Sequence, residues 1–500
     1  MLFSTALGDD DPWGLVRVED PDHPDAIARS HRGSILLEPP TDGTEWFVEE
    51  VPHVDEGVGS QRADGASEAL GVDAWHDAGF LGQGVSIAVF DLQWYGTELD
   101  HEELGDFESW DCWAHTACTP EIDTLRPRFT YEGGVHGLAC AEVVRDLAPE
   151  AELHLVRTNG TVAFENAVAW AVREEIDVVT LSMSYMNSSF YDGSGPLAVL
   201  VEDISEGGTL LVTSAGNYAQ GHWSGPFVDT DGDGLHEFED GSERLGVYFH
   251  AGKKRGLALQ WDNYYRCGDT DLDVVVYSED GTVLDVGDRV QDGEKGCSPV
   301  ERLAPTLSED QWAEVEIRRV AGDPAVMMNL LTSSGRIEGS HADRSVTDPG
   351  THPLAWTIGA MDQDGYLSNS IEGFSSQGPN MAGDPKPDIV ATDGVTSSAY
   401  GPRGFYGTSA ASPSAAGALA VVMSRDPSLT GREASQLIEG WAVSERTSWQ
   451  EVDNTMGAGR LRLPPPEASL PGCLGRAGWL ALGIGLPLPL LRRRRRSPPC

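Results

Sequence analysis

Five hundred residues exceed what one ordinary hydrophobic core organises, so the chain is expected to form two or more domains. Its 80 Asp and Glu against 34 Lys and Arg give a formal charge of −46, which argues against nucleic acid or an anionic membrane surface as a partner. A plain soluble acidic surface accounts for that charge, and it also favours cations.

In chain order, residues 1–8 have no basic start and only a short apolar run. They read as the tail end of a secretory signal or as an ordinary N-terminus. Residues 9–65 are acidic, with one strand-like run at 34–38. The run Val85-Ser86-Ile87-Ala88-Val89-Phe90 is apolar and β-branched, as a central parallel strand is, and it ends at Asp91. His136-Gly137 follows Gly133-Gly134-Val135 and opens a helical pattern closed by Ala148-Pro149. Strand, helix and strand follow at 152–156, 166–173 and 176–181. Such βαβ alternation predicts an α/β fold with a doubly wound, mainly parallel sheet. A further strand at 209–213 runs into Ser214-Ala215-Gly216-Asn217.

The pattern breaks after Asn217. Residues 222–345 lack helical periodicity and carry short β-like runs at 244–249, 257–261 and 272–277, punctuated by Asp280-Gly281 and Ser334-Gly335. This predicts a β-sandwich inserted into the α/β domain. Near residue 407 the chain returns to Gly407-Thr408-Ser409-Ala410-Ala411-Ser412-Pro413 and a small-residue stretch. That run places a serine at the entry of a buried helix, with Gly407 for a sharp turn and Pro413 at the edge of the first turn. A helix N-terminus favours developing negative charge.

The chemistry expected is acyl transfer, with Ser409 as nucleophile, His136 as general base and Asp91 orienting the imidazole. The amide of Asn217 is the oxyanion donor. Glu98 and Asp100 compete with Asp91 but lie in a polar loop, whereas Asp91 ends a buried strand. The Gly-x-Ser-x-Gly elbow fails because its fifth position is Ala411.

These pieces, in the order Asp, His, Asn, Ser, resemble the subtilisin-like serine proteases, the subtilases. Phe374-Ser375-Ser376-Gln377-Gly378-Pro379 and Lys386-Pro387-Asp388-Ile389-Val390-Ala391 look like the family's segment before its serine. The resemblance covers roughly residues 68–220 and 345–445. It implies polypeptide substrates bound as an added strand along Ser182, Met183 and Ser184, beside Ala215 and Gly216. It also implies an N-terminal propeptide, and hence a zymogen, within residues 1–65. Two departures stand out. Leu92-Gln93 follow Asp91 where the family usually has Ser or Thr and then Gly, and Ser184 replaces a usual Gly. A different reading keeps the fold as a catalytically inactive binding or adhesion protein of the cell envelope.

Inside the insertion, Asp229, Asp231, Asp233, Leu235, Glu237 and Asp240 have EF-hand loop spacing around Gly234, without flanking helices. The expected cofactor is a structural Ca²⁺; an acidic turn in an acidic protein is the competing reading. Cys112 with Cys118, and Cys267 with Cys297, read as disulfides of an oxidising compartment. Ligation of a metal by Cys112, His115 and Cys118 competes for the first pair but lacks a fourth soft ligand. Cys140 reads as a buried small residue.

After Pro464-Pro465-Pro466 a tail runs through Gly472-Cys473, an apolar stretch and five arginines from Arg492 to Arg496. It resembles the sorting tails of bacterial surface proteins, and implies transient membrane attachment with the acidic part outside. The expected layout is an N-terminal segment at 1–65, α/β parts at 66–221 and 346–463 around an insertion at 222–345, and a tail at 464–500. A secreted or envelope-associated monomer of bacterial type is expected.

Overall fold

The computed structural model describes residues 65–94, 101–113, 117–120, 134–251, 256–262, 270–293, 298–333, 335–368, 370–444 and 453–467, with the backbone of four short earlier strands. Cys267, Cys297, Cys473, His115, Glu98, Asp100 and the tail beyond 467 lie outside the described residues.

The main sheet has eight strands in the order Ile389–Asp393, Trp356–Asp362, Leu210–Ser214, Val178–Leu181, Ser86–Asp91, Glu152–Arg157, Glu108–Asp111, Thr119–Pro120. Every neighbouring pair is parallel except the last. Its central strands are buried on both faces because helices cover both. His136–Leu147, Thr408–Arg425 and Gly431–Trp441 share one core with the sheet, while Gly160–Arg173 and Pro196–Glu206 share the other. This is the doubly wound α/β architecture. From Ser86–Asp91 the chain steps first to one side and then to the other, so the crevice at the carboxyl ends beside this strand is where such a sheet binds ligands.

The small residues of Thr408–Arg425 explain its burial. A β-carbon on Gly417 would come within 2.6 Å of Leu147 Cβ, so the serine-bearing and histidine-bearing helices approach at glycine distance. Pro413 lies inside this helix rather than in its first turn, because the helix begins at Thr408. Pro413 offers no N–H to the carbonyl of Ser409. That carbonyl is served instead by the hydroxyl of Ser182 at 2.9 Å and the thiol of Cys140 at 3.7 Å. The helix expected at 166–173 begins earlier, at Gly160, where a φ of +73° suits glycine.

Between Asn217 and Trp356 the chain makes two antiparallel sheets. One has the order His222–Pro226, Met327–Thr332, Leu257–Trp261, Val300–Leu303; the other Val283–Gly287, Asp271–Ser278, Gln311–Ala321, Leu245–Phe249, Arg336–Ile337. Their facing side chains, including Trp223, Leu259, Trp261, Leu330, Val247, Val274 and Ile317, form one core. Leu331 meets Met186 and Tyr218, so this region packs beside the loop that follows Asn217.

The described chain closes on itself. Leu463 N–H donates to Leu70 at 2.8 Å, and Trp75 Nε1 donates to the carbonyl of Pro464 at 2.8 Å. Pro466 is buried too. Near the N-terminus, strands Val16–Val18, Ala28–Arg29, Ser34–Leu36 and Trp46–Val48 form an antiparallel sheet. Among the described residues, no helix is long and apolar enough to cross a membrane.

Candidate active site

Asp91 stands at the carboxyl end of its strand and is fully buried. Its Oδ1 accepts the backbone N–H groups of Leu92 and Gln93 at 2.8 and 2.9 Å, and its Oδ2 lies 2.6 Å from Nδ1 of His136. The side chain of Gln93 fills the space before the histidine: its Oε1 is 3.4 Å from the N–H of His136, and a β-carbon on Gly134 would come within 2.3 Å of its Cδ. The unusual Leu92-Gln93 pair is therefore accommodated by a glycine on the opposite loop, a pairing no sequence motif announced.

His136 is the first residue of its helix, and Gly137 lets that turn sit against the acid. A β-carbon there would meet Asp91 Cβ at 2.7 Å and the carbonyl of Gln93 at 2.8 Å. The ring is wholly buried and meets Phe405 edge-on at 5.6 Å. Burial works against the imidazolium, but the Asp91 carboxylate and the nearby Cys140 thiol outweigh it and raise the His136 pKa well above its ordinary value. Nε2 of His136 makes no hydrogen bond.

Ser409 is the second residue of its helix, where backbone N–H groups have no intrahelical acceptor. Its hydroxyl donates to the carbonyl of Ser182 at 3.4 Å. The Asp–His half of a relay is thus joined, while the serine faces the neighbouring strand end. Asn217 sits across the turn. Its Oδ1 accepts both the N–H and the hydroxyl of Thr408, at 2.9 and 3.0 Å, which leaves Nδ2 as the donor end of the amide. Gly407 has a φ of +103°, and a β-carbon there would lie 2.8 Å from Asn217 Nδ2, so only glycine fits. Its N–H donates to Asp393, a buried acid that sequence reading did not single out.

Ser182, Met183 and Ser184 follow the end of Val178–Leu181, and all three are buried. The backbone of Ala215 and Gly216 is held internally: Ala215 N–H by Ile358, Gly216 N–H by the Thr408 hydroxyl and Gly216 carbonyl by Ser376. The Phe374–Pro379 region braces this loop, and the buried Lys386 ties neighbouring strands. Tyr218 N–H donates to Ser376 Oγ at 3.1 Å, and Lys386 Nζ spans Ala355, Thr357 and Asp388.

Cys112 and Cys118 are joined as a disulfide, which removes both thiolates and excludes the competing metal reading. Cys140 is a buried free thiol. In the acidic loop, ligand oxygens of Asp229, Asp231 and Asp233 lie within 4.8 Å of one another. The carboxylates of Glu237 and Asp240 are not part of this group. Glu237 accepts from the hydroxyl of Thr230 at 2.6 Å, and Asp240 accepts the N–H of Ser242. Turn-forming hydrogen bonds compete with the EF-hand arrangement because no helices hold this loop open. Three convergent carboxylates fit a hard dication, with carbonyls and water needed to reach the six to eight oxygens of Ca²⁺.

Residues 304–459 match the model of the subtilase family, a span that holds Ser409 but not Asp91, His136 or Asn217. The serine protease AprX of Bacillus subtilis is 29% identical over 150 residues, 26% of this chain and 32% of that protein. The minor extracellular protease Vpr of Bacillus subtilis is 25% identical over 463 residues, 82% of this chain and 54% of that protein. The chain thus spans about half or less of the length of these curated relatives. The solved structure of the Clostridium perfringens CspB protease is similar with a TM-score of 0.54 at 16% identity, covering 80% of this chain and 97% of that one. The chain has the subtilase α/β fold, and its segment around Ser409 is similar to the subtilase family model.

Proposed function

We propose that the chain is a serine endopeptidase working through Asp91, His136 and Ser409. The carrying observation is the 2.6 Å contact between buried Asp91 and His136, set at the same sheet edge as a serine helix whose turn is seated on Asn217. In this reading Ser409 turns from Ser182 to His136 and attacks the substrate carbonyl. His136 takes the serine proton and later returns it to the leaving amine, while Asp91 keeps Nδ1 protonated and stabilises the imidazolium. Asn217 Nδ2 and the Ser409 N–H hold the oxyanion; one such donor contributes about 3–4 kcal/mol. Ser182, Met183 and Ser184 line the path of an extended substrate.

A second reading, an inactive binding protein, is favoured by the unpartnered Nε2 of His136 and the serine hydroxyl directed at Ser182. Labelling with a fluorophosphonate separates the two. The peptidase reading expects covalent modification of Ser409 and none in Ser409→Ala; an intact mass unchanged by the reagent would leave the scaffold reading.

The N-terminal sheet serves in this proposal as a propeptide, and the tail as an envelope-sorting element. One extracellular relative and one disulfide support export. The acidic loop is proposed as a structural Ca²⁺ site. Chelation should lower the melting temperature, with a mass-action dependence on free Ca²⁺, and Asp231→Ala should remove most of that dependence. A wild-type melting temperature indifferent to chelator would rule the site out.

A further inference from the structure

Asp393 ends the strand Ile389–Asp393, at the carboxyl edge that also carries Asp91, and the peptidase scheme gives it no part. It is fully buried. Oδ2 accepts the N–H of Gly407 at 2.9 Å, and Oδ1 has no hydrogen-bond partner. Among the described residues no cation is paired with it. Arg403, which donates to the carbonyl of the adjacent Gly394 at 3.3 Å, gives its guanidinium to Asp362 and Asp364. The charged and titratable groups facing Asp393 are Glu372, Asp362 and the phenol of Tyr406, none of them cationic. Burial, with Glu372 and Asp362 adding to it against the Gly407 N–H, pushes the carboxyl well above the usual carboxylate range.

What this acid holds is the peptide just before the nucleophile. Gly407 is the residue with the most freedom to turn, and its φ of +103° is one that side-chain-bearing residues rarely adopt. On one side the turn is tied to Asn217 through Thr408; on the other its N–H has Asp393 as acceptor. Remove the acceptor and a buried N–H is orphaned in a glycine hinge, two residues from Ser409.

We propose that Asp393 is a positioning residue for the nucleophile: its buried carboxyl, through the Gly407 N–H, fixes the turn that aims Ser409 and seats Asn217. The inference rests on the serine-peptidase reading. Its test is the fluorophosphonate reaction, resolved into the maximal inactivation rate and the half-saturating concentration. Asp393→Asn keeps an oxygen acceptor for the Gly407 N–H in the same volume, so it should react as the wild type does. Asp393→Ala should lose on the order of 10²-fold in maximal rate, because the serine is misaimed, with the half-saturating concentration unchanged. Should the alanine variant fail to fold, Asp393→Leu, which fills the volume without an acceptor, takes its place. Loss in the acceptor-free variant with rescue by Asn supports the proposal. Equal rates for the acceptor-free variant and wild type, or an Asn variant as slow as Ala, would overturn it alone. A wild-type protein that does not label would overturn the peptidase reading, and this inference with it.

Discussion

Asp91→Asn should cost on the order of 10⁴-fold in kcat, while Ser409→Ala abolishes hydrolysis of unfolded protein substrates and leaves the fold intact. The reason for the first lies in how Asp91 is held. Its Oδ1 accepts two backbone N–H groups, from Leu92 and Gln93, so an asparagine must place its oxygen there. The amide NH₂ then faces Nδ1 of His136, which has to become the acceptor. The proton moves to Nε2, and the imidazole can no longer accept from serine. Asn217→Ala should lose 10²–10³-fold, roughly the worth of one oxyanion donor. Activity in Asp91→Asn close to wild type, with Glu98 or Asp100 variants dead, would reassign the acid.

The second large effect is on stability, in the two antiparallel sheets, and it changes sign between two residues. His236 is buried among Trp223, Phe227 and Phe238, its Nδ1 accepting from Val228 N–H and its Nε2 unpartnered. Burial lowers its pKa to about 4. The unfolded chain takes up this proton from about pH 6.5 downward and the folded one does not. Its contribution is therefore complete above pH 6.5 and is lost as the pH falls to about 4, roughly 3 kcal/mol in all. His236→Asn, which keeps an acceptor for Val228, should gain on the wild type by that amount over the same window.

Glu301 behaves oppositely. Its Oε1 accepts from Gln291 at 2.6 Å while Oε2 is buried without a partner. Burial raises its pKa to about 7 against the partial opposition of Gln291 and Arg289. Its stability term is full below about pH 4.5 and disappears as the pH rises to about 7, again roughly 3 kcal/mol. Glu301→Gln should thus be the more stable protein at pH 8 and lose that lead in acid. Denaturant unfolding of both variants from pH 4 to 8 checks the pair; parallel curves would show that neither group titrates with folding.

Much of the site is legible in the sequence because each part carries a local signal. An apolar, β-branched run must be a buried strand, so the acid at its end, Asp91, sits at a sheet edge. Glycine beside His136 and before Ser409 marks helix entries where backbone comes close. Alternation of strand and helix periods dictates a parallel, doubly wound sheet, and the loss of the helical period after Asn217 marks where that alternation stops. Tertiary structure decided what depends on residues distant in the chain. Ser182 meets the carbonyl that Pro413 leaves unserved across a separation of 227 residues. Gln93 finds its room only against Gly134, and Asp393 becomes the acceptor for Gly407 only once the fold buries it and Arg403 is taken elsewhere. In the acidic loop the fold brings Asp229, Asp231 and Asp233 together, while Glu237 accepts from Thr230 and Asp240 from Ser242. Periodicity and glycine placement act within a few residues, whereas acceptor pairing and desolvation are set by whatever the fold brings alongside.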